Sequence, residues 1–228
     1  MDNKIAVVFC SRNKENKEFI DHVKKTCGCD LHVYSVYNPD GVSISKIYAD
    51  MMDSNDVDSD IIVFIHDDIE FLKNGWGKEI LRLFDENKDY GIIGVAGSAQ
   101  FDENGAWWNY DKKYGQVLHR NEGKSWLTAF SPLLKQDLEE VVVIDGLFMA
   151  VHRKRISKNF NRKLDFFDFY DINLCLSNYE DGKCKIGVTT NIRLAHNSIG
   201  KLKESWFTNR EIINAKFGHL YPIDVKRK

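Results

Sequence analysis

The sequence predicts an α/β fold in which a mostly parallel central sheet is flanked by helices. In the first half of the chain, short apolar runs alternate with amphipathic stretches, which is typical of βαβ units. Only three prolines occur, and no low-complexity tract or internal repeat divides the chain. We therefore expect one domain over residues 1–228.

Four apolar runs of the first half are candidate strands: 5–9, 31–36, 61–65 and 91–95. The amphipathic stretches between them are candidate helices: 14–26, 44–52 and 76–84. Ser43 and Asn74 precede the second and third of these stretches, and their side-chain oxygens are suited to capping a helix N-terminus. The first half is thus expected to supply four strands of the sheet.

The second half of the chain is less regular. Residues 97–135 are rich in Gly, Asn and Trp and show little periodicity, so we expect a long loop that is functional or mobile. Strand-like runs and helical stretches follow it: strands at 141–144, 147–151, 185–188 and 192–194, and helices at 172–179 and 205–217.

Charge balance and hydropathy exclude several classes of protein. Thirty-two basic against 34 acidic residues give a formal net charge of −2, so non-specific nucleic-acid binding is not expected. The apolar runs are shorter than the roughly 20 residues needed to cross a bilayer, and the N-terminus lacks the zones of a signal peptide. We expect a cytoplasmic protein without an integral membrane segment; docking to the inner face of a membrane and the oligomeric state stay open.

The chain contains five cysteines at irregular spacing, an odd number that argues against a disulfide framework. Cys27 and Cys29 form a C-x-C pair, but no second Cys or His pair completes a four-ligand zinc site. The expectation is reduced thiols without a catalytic task.

The strongest chemical signal is a pair of adjacent aspartates, Asp67 and Asp68, which follow the apolar run 61–65 almost directly. In an open parallel sheet, ligands bind at the carboxyl ends of the strands. Two carboxylates repel each other unless a cation lies beside them, and Asp oxygens suit Mg²⁺ or Mn²⁺ shared with substrate phosphates. The alternative is a polar loop that caps the following helix.

A second acidic signal lies in an aromatic stretch. Asp171 precedes an amphipathic helix and is preceded by Phe169 and Tyr170. Aromatic neighbours restrict water and raise the pKa of a carboxyl group toward that of a general base. The alternative is a helix N-cap, and Asp168 is a second candidate for either task.

A histidine and several tryptophans complete the candidate set. His196 ends a strand-like run and is followed by Ser198 and Gly200, a setting suited to a metal or phosphate, although a lone histidine is more often structural. Three tryptophans lie in the aperiodic central segment: Trp107, Trp108 and Trp126. They are either core residues or an apolar platform for a sugar or a lipid-linked acceptor.

Together these motifs resemble the glycosyltransferase family 2-like proteins of the GT-A fold, from Ile5 to about Phe217. Four segments carry the resemblance: FIHDDI at 64–69, VIDGLFMAVHR at 143–153, FYDINLCL at 169–176 and HNSIG at 196–200. The first resembles the family's acidic metal motif and the second its acceptor-side segment. The third resembles the Glu-Asp-x-Asp-Leu-Cys-Leu pattern, and the fourth the His-x-Ser-x-Gly near the end of this subgroup.

The resemblance implies a single GT-A-like (Rossmann-like) domain. Its residues 1–98 would bind a nucleotide sugar, and residues 99–228 would bind the acceptor and carry catalysis. It also implies these roles for individual residues: Asp68 and His196 as ligands of Mn²⁺ or Mg²⁺, Asp67 as a ribose contact, Asp171 as the catalytic base, and Trp107, Trp108 and Asp145 as acceptor contacts. Ser11, Arg12 and Asn38, at the ends of the first two predicted strands, are candidate nucleotide contacts or ordinary turn residues.

The implied activity is metal-dependent, inverting transfer of a hexose from a nucleotide-diphosphate sugar to a hydroxyl of a glycan or lipid-linked acceptor, in cell-surface polysaccharide or glycan synthesis. The sequence departs from the family pattern at Tyr170, where Glu is usual, and at Asn173, where the second Asp is usual. These departures leave open a degenerate sugar- or nucleotide-binding module of the same fold. A nucleotidyltransferase is a further alternative, but residues 10–17 contain no glycine for the phosphate loop of that class.

Overall fold

A computed structural model describes residues 5–164, 167–200 and 202–225. The first four residues, on which the expectation about a signal peptide depends, and residues 226–228 lie outside these ranges. The α-helices of the described residues are α1 (Lys17–Cys27), α2 (Ile44–Asp53), α3 (Trp76–Glu86), α4 (Tyr170–Asp181) and α5 (Glu204–Phe217). None of them combines the length and the apolar character needed to span a bilayer.

Fifteen strands occur in the same described ranges. They are β1 (Ile5–Ser11), β2 (Leu31–Tyr37), β3 (Ile61–Ile65), β4 (Ile69–Phe71), β5 (Tyr90–Gly94), β6 (Ala96–Ser98), β7 (Gln100–Phe101), β8 (Lys113–Asn121), β9 (Lys124–Ala129), β10 (Glu139–Val141), β11 (Val143–Ile144), β12 (Phe148–His152), β13 (Lys185–Val188), β14 (Leu194–His196) and β15 (Ile223–Asp224). The predicted α/β class, a large sheet with flanking helices, is confirmed.

The main sheet is mixed rather than mostly parallel. Its order is β10-β13-β5-β12-β3-β1-β2. β1 runs parallel to β2 and β3, and β13 runs parallel to β5, but β12 lies antiparallel between β3 and β5. The sequence did not reveal this reversal, because a strand buried on both faces is an apolar run in either direction.

The central segment forms strands, so the expectation of a long loop over 97–135 was wrong. β8 pairs with β6, β9 and β14 in a second sheet of order β11-β6-β8-β14-β4. Glu122 and Gly123, both with positive φ, form the two-residue turn between β8 and β9. Because most residues of β9 are exposed, its sequence lacks the alternation that marks a half-buried strand.

The two predicted caps have different outcomes. Ser43 caps α2, since its side chain accepts a hydrogen bond from the Lys46 backbone N–H. Asn74 does not cap α3; the cap position is Gly75, whose backbone N–H donates to Thr26 O at 2.7 Å. Packing against the end of α1 therefore sets where α3 begins.

Residues 1–98 and 99–228 both contribute to the main sheet. β12 of the later part lies between β3 and β5 of the earlier part, with Met149 paired to both Phe64 and Gly94. β3 is entirely buried, and its carboxyl end continues directly into the acidic motif. The division into a donor half and an acceptor half stays a prediction.

Candidate active site

The acidic motif and the late histidine are brought together by strand pairing. β4 follows the acidic motif and pairs antiparallel with β14, so that Ile69 lies opposite His196. The backbone N–H of Asn197 donates to Asp68 O at 2.9 Å. Two segments more than a hundred residues apart therefore meet at the carboxyl end of β3.

Three side chains form a candidate metal site at this place. One potential ligand atom each from His66, Asp68 and His196 lies within 4.8 Å of the others. His196 Nε2 lies 3.3 Å from Asp68 Oδ1 and shares a hydrogen bond of 3.1 Å with Ser198 Oγ. Asp68 Oδ1 is buried, and apart from this contact with His196 no donor among the described residues meets it in hydrogen-bond geometry.

A buried carboxylate oxygen without a hydrogen-bond donor is an atom that a cation would satisfy. One carboxylate oxygen and two imidazole nitrogens suit Mn²⁺ and other transition-metal ions better than Mg²⁺, which prefers oxygen ligands throughout. The residues present therefore fit the predicted divalent ion, with His66 as a ligand that the sequence analysis did not assign. Its signal was its position, directly before the paired aspartates at the end of a buried strand.

The charges within this cluster stabilise the ionised carboxylate. Burial raises the pKa of Asp68, but the neighbouring His196, Ser198 and His66 outweigh it and bring that pKa down to about 2. Burial also disfavours the charged form of His196, yet Asp68 holds the pKa of this imidazole above its usual value. Burial, together with His196, lowers the pKa of His66. The cluster thus presents an ionised oxygen ligand across the neutral pH range.

Asp171 lies in the first turn of α4 and follows Tyr170, whose hydroxyl is hydrogen-bonded to His66 of this cluster. Its Oδ2 accepts a hydrogen bond from the Gly146 N–H at 2.7 Å, and its Oδ1 accepts one from the Ile172 N–H at 2.8 Å. Burial, followed by the charge of Asp145, outweighs these bonds and raises the pKa of Asp171 to about 7. The N-cap of α4 is Phe169, so capping does not explain the carboxylate. A carboxyl group with this pKa is suited to general-base catalysis.

Tyr170, the first departure from the family pattern, connects Asp171 to the candidate metal site of His66, Asp68 and His196. Its side chain is buried, and its hydroxyl shares a hydrogen bond of 3.0 Å with His66 Nε2. The ring lies against the backbone of Gly146, where a Cβ atom would stand 2.1 Å from the Tyr170 oxygen and 3.1 Å from Asp171 Oδ2. A glycine is therefore required at 146 for Tyr170 and Asp171 to occupy these positions.

The candidate donor contacts lie at the carboxyl ends of β1, β2 and β3. Asp67 is exposed, and its charge adds to burial in raising the pKa of Cys10, in β1, to about 12. Arg12 is exposed just after β1. The side chains of Ser11 and Asn38 are already engaged locally, since Ser11 Oγ accepts from the Asn13 N–H at 3.0 Å and Asn38 bonds the backbone of Val42 at 2.8 Å. Their nucleotide contacts stay predictions.

The candidate acceptor contacts differ in accessibility. Trp107 is only 3% exposed and packs on Phe130 with ring centroids 4.9 Å apart, whereas Trp108 is partly exposed. Asp145 Oδ1 accepts a hydrogen bond from the Leu147 N–H at 2.9 Å. The second candidate base, Asp168, accepts a hydrogen bond of 2.6 Å from Ser205 Oγ at the start of α5. The acceptor roles stay predictions.

Two exposed aromatic side chains flank the candidate metal site. Phe167 is 55% exposed and lies 5.1 Å from the His66 ring. Trp126 is 38% exposed and stacks on His119, whose ring is 5.9 Å from His196. Trp126 is a candidate from the sequence alone, whereas Phe167 carries no signal of its own within a run of aromatic residues.

A mixed sheet with an acidic cluster at the end of a central strand, beside a buried carboxylate, is the arrangement of a GT-A glycosyltransferase. The chain belongs to the glycosyltransferase-like family, whose sequence profile matches residues 6–217. No curated protein sequence matches the chain significantly.

Solved structures with a similar fold are GT-A enzymes. The catalytic domain of Drosophila β1,4-galactosyltransferase 7, in complex with xylobiose, is 13% identical with a TM-score of 0.52 over 91% of this chain and 79% of that one. A mutant of the same enzyme with manganese, UDP-Gal and xylobiose is 12% identical with a TM-score of 0.50, over 90% and 79%. GalNAc-T7 with UDP, GalNAc and Mn²⁺ is 11% identical with a TM-score of 0.51, over 89% of this chain and 44% of that one. These likenesses establish the fold.

Proposed function

We propose that the protein is a metal-dependent, inverting glycosyltransferase of the hexosyltransferase type. It moves a sugar from a nucleotide-diphosphate donor to a hydroxyl group of a glycan or lipid-linked acceptor. Asp171 is the general base, and Asp68 and His196, together with His66, hold Mn²⁺ or Mg²⁺. Residues 1–98 bind the donor, and the later part of the chain binds the acceptor.

The observation that carries this proposal is the juxtaposition of two different carboxylates. Asp68 has a pKa of about 2 within a histidine cluster, and Asp171 has a pKa of about 7 beside it. A pair of acidic groups whose environments separate their pKa values in this way is typical of sites that need one permanent anion and one proton acceptor. The hydrogen bond between Tyr170 and His66 holds the two together.

In this mechanism the chain's own groups orient the reactants and move one proton. Asp68, His196 and His66 would hold the divalent ion, which would supply positive charge to stabilise the departing diphosphate. Asp171 removes the proton from the acceptor hydroxyl, and the oxygen attacks the anomeric carbon on the face opposite the diphosphate, so the anomeric configuration inverts. Asp67, exposed at the same edge, contacts the ribose of the donor.

The acceptor side of the proposal rests on exposed aromatic surface. Phe167 and Trp126 flank the cluster, and Trp108 lies in the adjoining segment. Aromatic faces bind the apolar faces of sugar rings and of lipid chains. Action in the cytoplasm, at the inner face of a membrane when the acceptor is lipid-linked, and a role in cell-surface polysaccharide or glycan synthesis rest on the family resemblance.

The first test is the thermal stability of the protein with a panel of nucleoside diphosphates and their sugars, with and without Mn²⁺. Uridine nucleotides come first, because the similar structures contain UDP or UDP-Gal with manganese. A ligand that binds only the folded state stabilises it by mass action and so raises Tm. At a ligand concentration one hundred times Kd, the free energy of unfolding increases by about 2.7 kcal/mol. A metal-dependent shift for one nucleotide names the donor class.

Two variants make this test specific. Asp68→Asn is expected to abolish the metal-dependent shift, because it removes the ionised oxygen ligand. Asp58→Asn is the matched control, since Asp58 is exposed and precedes the amino end of β3, whereas the cluster lies at the carboxyl end of that strand. Metal-dependent hydrolysis of the donor then separates an enzyme from a degenerate binding module, which would bind the nucleotide without cleaving it. No shift with any nucleotide at millimolar concentration would refute the proposal.

A further inference from the structure

Two cysteines meet where the end of α1 packs on the start of α3. Cys27 is the last residue of α1, Cys29 follows two residues later, and their sulfur atoms lie 3.4 Å apart. Cys27 is buried and Cys29 is partly exposed. The pair lies apart from the candidate active site, and the proposed mechanism does not use it.

The start of α3 is built closely around both sulfur atoms. A Cβ atom on Gly77 would lie 2.2 Å from Cys27 Sγ and 2.9 Å from Cys29 Sγ, so only a glycine fits at this position. The positive end of the α3 dipole therefore faces the two thiols, and Lys78 adds a further positive charge near Cys29. A helix N-terminus and a neighbouring lysine both favour the thiolate form of a cysteine.

The two thiols are unequal. The hydrogen bond with Cys27 lowers the pKa of Cys29 against the opposing effects of burial and of the Asp30 charge, and the same interaction raises the pKa of Cys27. Burial raises the pKa of Cys10 to about 12 and that of Cys184 to about 11, although both of these thiols are also partly exposed. Cys29 thus combines access to solvent with thiolate character.

We propose that Cys27 and Cys29 form a redox site that reacts with low-molecular-weight disulfides. The Cys29 thiolate attacks one sulfur of the disulfide RSSR, which forms a mixed disulfide at Cys29 and releases RS⁻. The Cys27 sulfur then attacks Cys29 Sγ, its proton passes to solvent, and a second RS⁻ leaves. The protein dithiol is oxidised to a Cys27–Cys29 disulfide and RSSR is reduced to two RSH.

The reaction needs only a small movement of side chains. The sulfur atoms move from 3.4 Å to the bonding distance of about 2.05 Å. The neighbouring contacts hold the junction in place, since Trp76 Nε1 donates to Thr26 Oγ1 at 3.1 Å and the Trp76 ring stacks on Phe71 with centroids 4.5 Å apart. The packing of this junction therefore keeps the two sulfur atoms close to each other.

The test exposes the reduced full-length protein to glutathione buffers of increasing oxidised fraction, followed by acid quenching, alkylation and peptide mass mapping. The peptide that contains Cys27 and Cys29 is expected to lose two hydrogens and to resist alkylation, while Cys10 and Cys184 remain alkylated. Before oxidation, Cys29 is expected to react with iodoacetamide at neutral pH about tenfold or more faster than Cys184, from its larger thiolate fraction.

Two variants separate the steps of the reaction. Cys27→Ser is expected to trap the glutathione adduct at Cys29, because no second thiol can displace it. Cys29→Ser is expected to abolish the reaction, whereas Cys184→Ser leaves it unchanged. Should a variant fail to fold, the mapping of the wild-type protein decides alone: equal alkylation of Cys27, Cys29, Cys10 and Cys184 after oxidation, or an adduct that persists at Cys29, overturns the proposal.

Discussion

The pH dependence of sugar transfer tests the assignment of Asp171 most directly. Burial and the charge of Asp145 raise the pKa of Asp171 to about 7. A general base acts only when it is deprotonated, so kcat/KM is expected to fall as the pH drops below this value. Between pH 8 and pH 6 the fraction of ionised Asp171 falls about tenfold, which corresponds to about 1.4 kcal/mol in the barrier.

The assay is transfer, or metal-dependent donor hydrolysis, with the nucleotide sugar identified by thermal shift and with saturating Mn²⁺. Asp171→Asn is expected to reduce the rate by roughly 10²- to 10⁴-fold. Asp181→Asn is the matched control, because Asp181 lies exposed at the other end of α4 and is expected to keep full activity. A melting temperature of Asp171→Asn no lower than that of the wild type shows that the loss is not unfolding.

The raised pKa of Asp171 also predicts how the stability of the protein changes with pH. The pKa of Asp171 is raised from 3.8 to about 7, so the folded state holds this proton in a pH range in which the unfolded chain has lost it. The free energy of unfolding is therefore expected to decrease as the pH rises from about 4 to about 7, with a slope of at most about 1.4 kcal/mol per pH unit. Urea unfolding of the wild type and Asp171→Asn measures the difference.

A flat kcat/KM between pH 6 and pH 8 would refute the reasoning, because an aspartate with its ordinary pKa is fully ionised throughout that range. Full transfer activity in Asp171→Asn, with a verified acceptor, would also refute it. The base would then have to be Asp145 or Asp168, the remaining carboxylates of this region.

Three further outcomes are expected. Gly146→Ala forces a Cβ to within 2.1 Å of the Tyr170 oxygen, so urea unfolding should show a loss of about 1–3 kcal/mol, whereas Gly218→Ala, with open space at its Cβ, should change stability by less than about 1 kcal/mol. Tyr170→Phe removes the hydrogen bond to His66 and should weaken Mn²⁺ binding, measured as a smaller metal-dependent Tm shift; an unchanged shift would show that this bond does not position the ligand. Asp145→Asn removes a negative charge near the base, so the acid limb of the pH profile should move to lower pH, and an unmoved limb would contradict the electrostatic account.

The fold class and the individual strands of the main sheet could be read from local sequence. The runs at 5–9 and 61–65 are apolar because β1 and β3 are buried, the run at 31–36 is less apolar because β2 is a partly exposed edge strand, and the structure places strands at all three. The acidic motif could be located in the same way, since a buried strand that runs directly into two carboxylates must place them at an edge of the sheet. The raised pKa of Asp171 was likewise expected from its aromatic surroundings, and burial does raise it.

The strands of the central segment could not be predicted. β8 and β9 can be identified only from their pairing in the folded structure. β9 exposes nearly all of its side chains, so its sequence shows no alternation of apolar and polar residues. The direction of β12 was equally hidden, since its apolar run reads the same for a parallel and an antiparallel neighbour. Both features depend on which strands pair, and pairing is a property of the whole chain.

The sequence by itself determined the class of fold and the chemical groups at the strand ends, because burial leaves a periodic pattern within a few residues. The family resemblance implied that Asp68 and His196 share a metal site, but only the tertiary structure decided that His66 joins them and that Tyr170 connects this site to the base. These contacts depend on the pairing of β4 with β14 and on the packing of α4 against Gly146. Such long-range contacts leave no local pattern, because each partner would have the same neighbours in the chain whether or not the other were present.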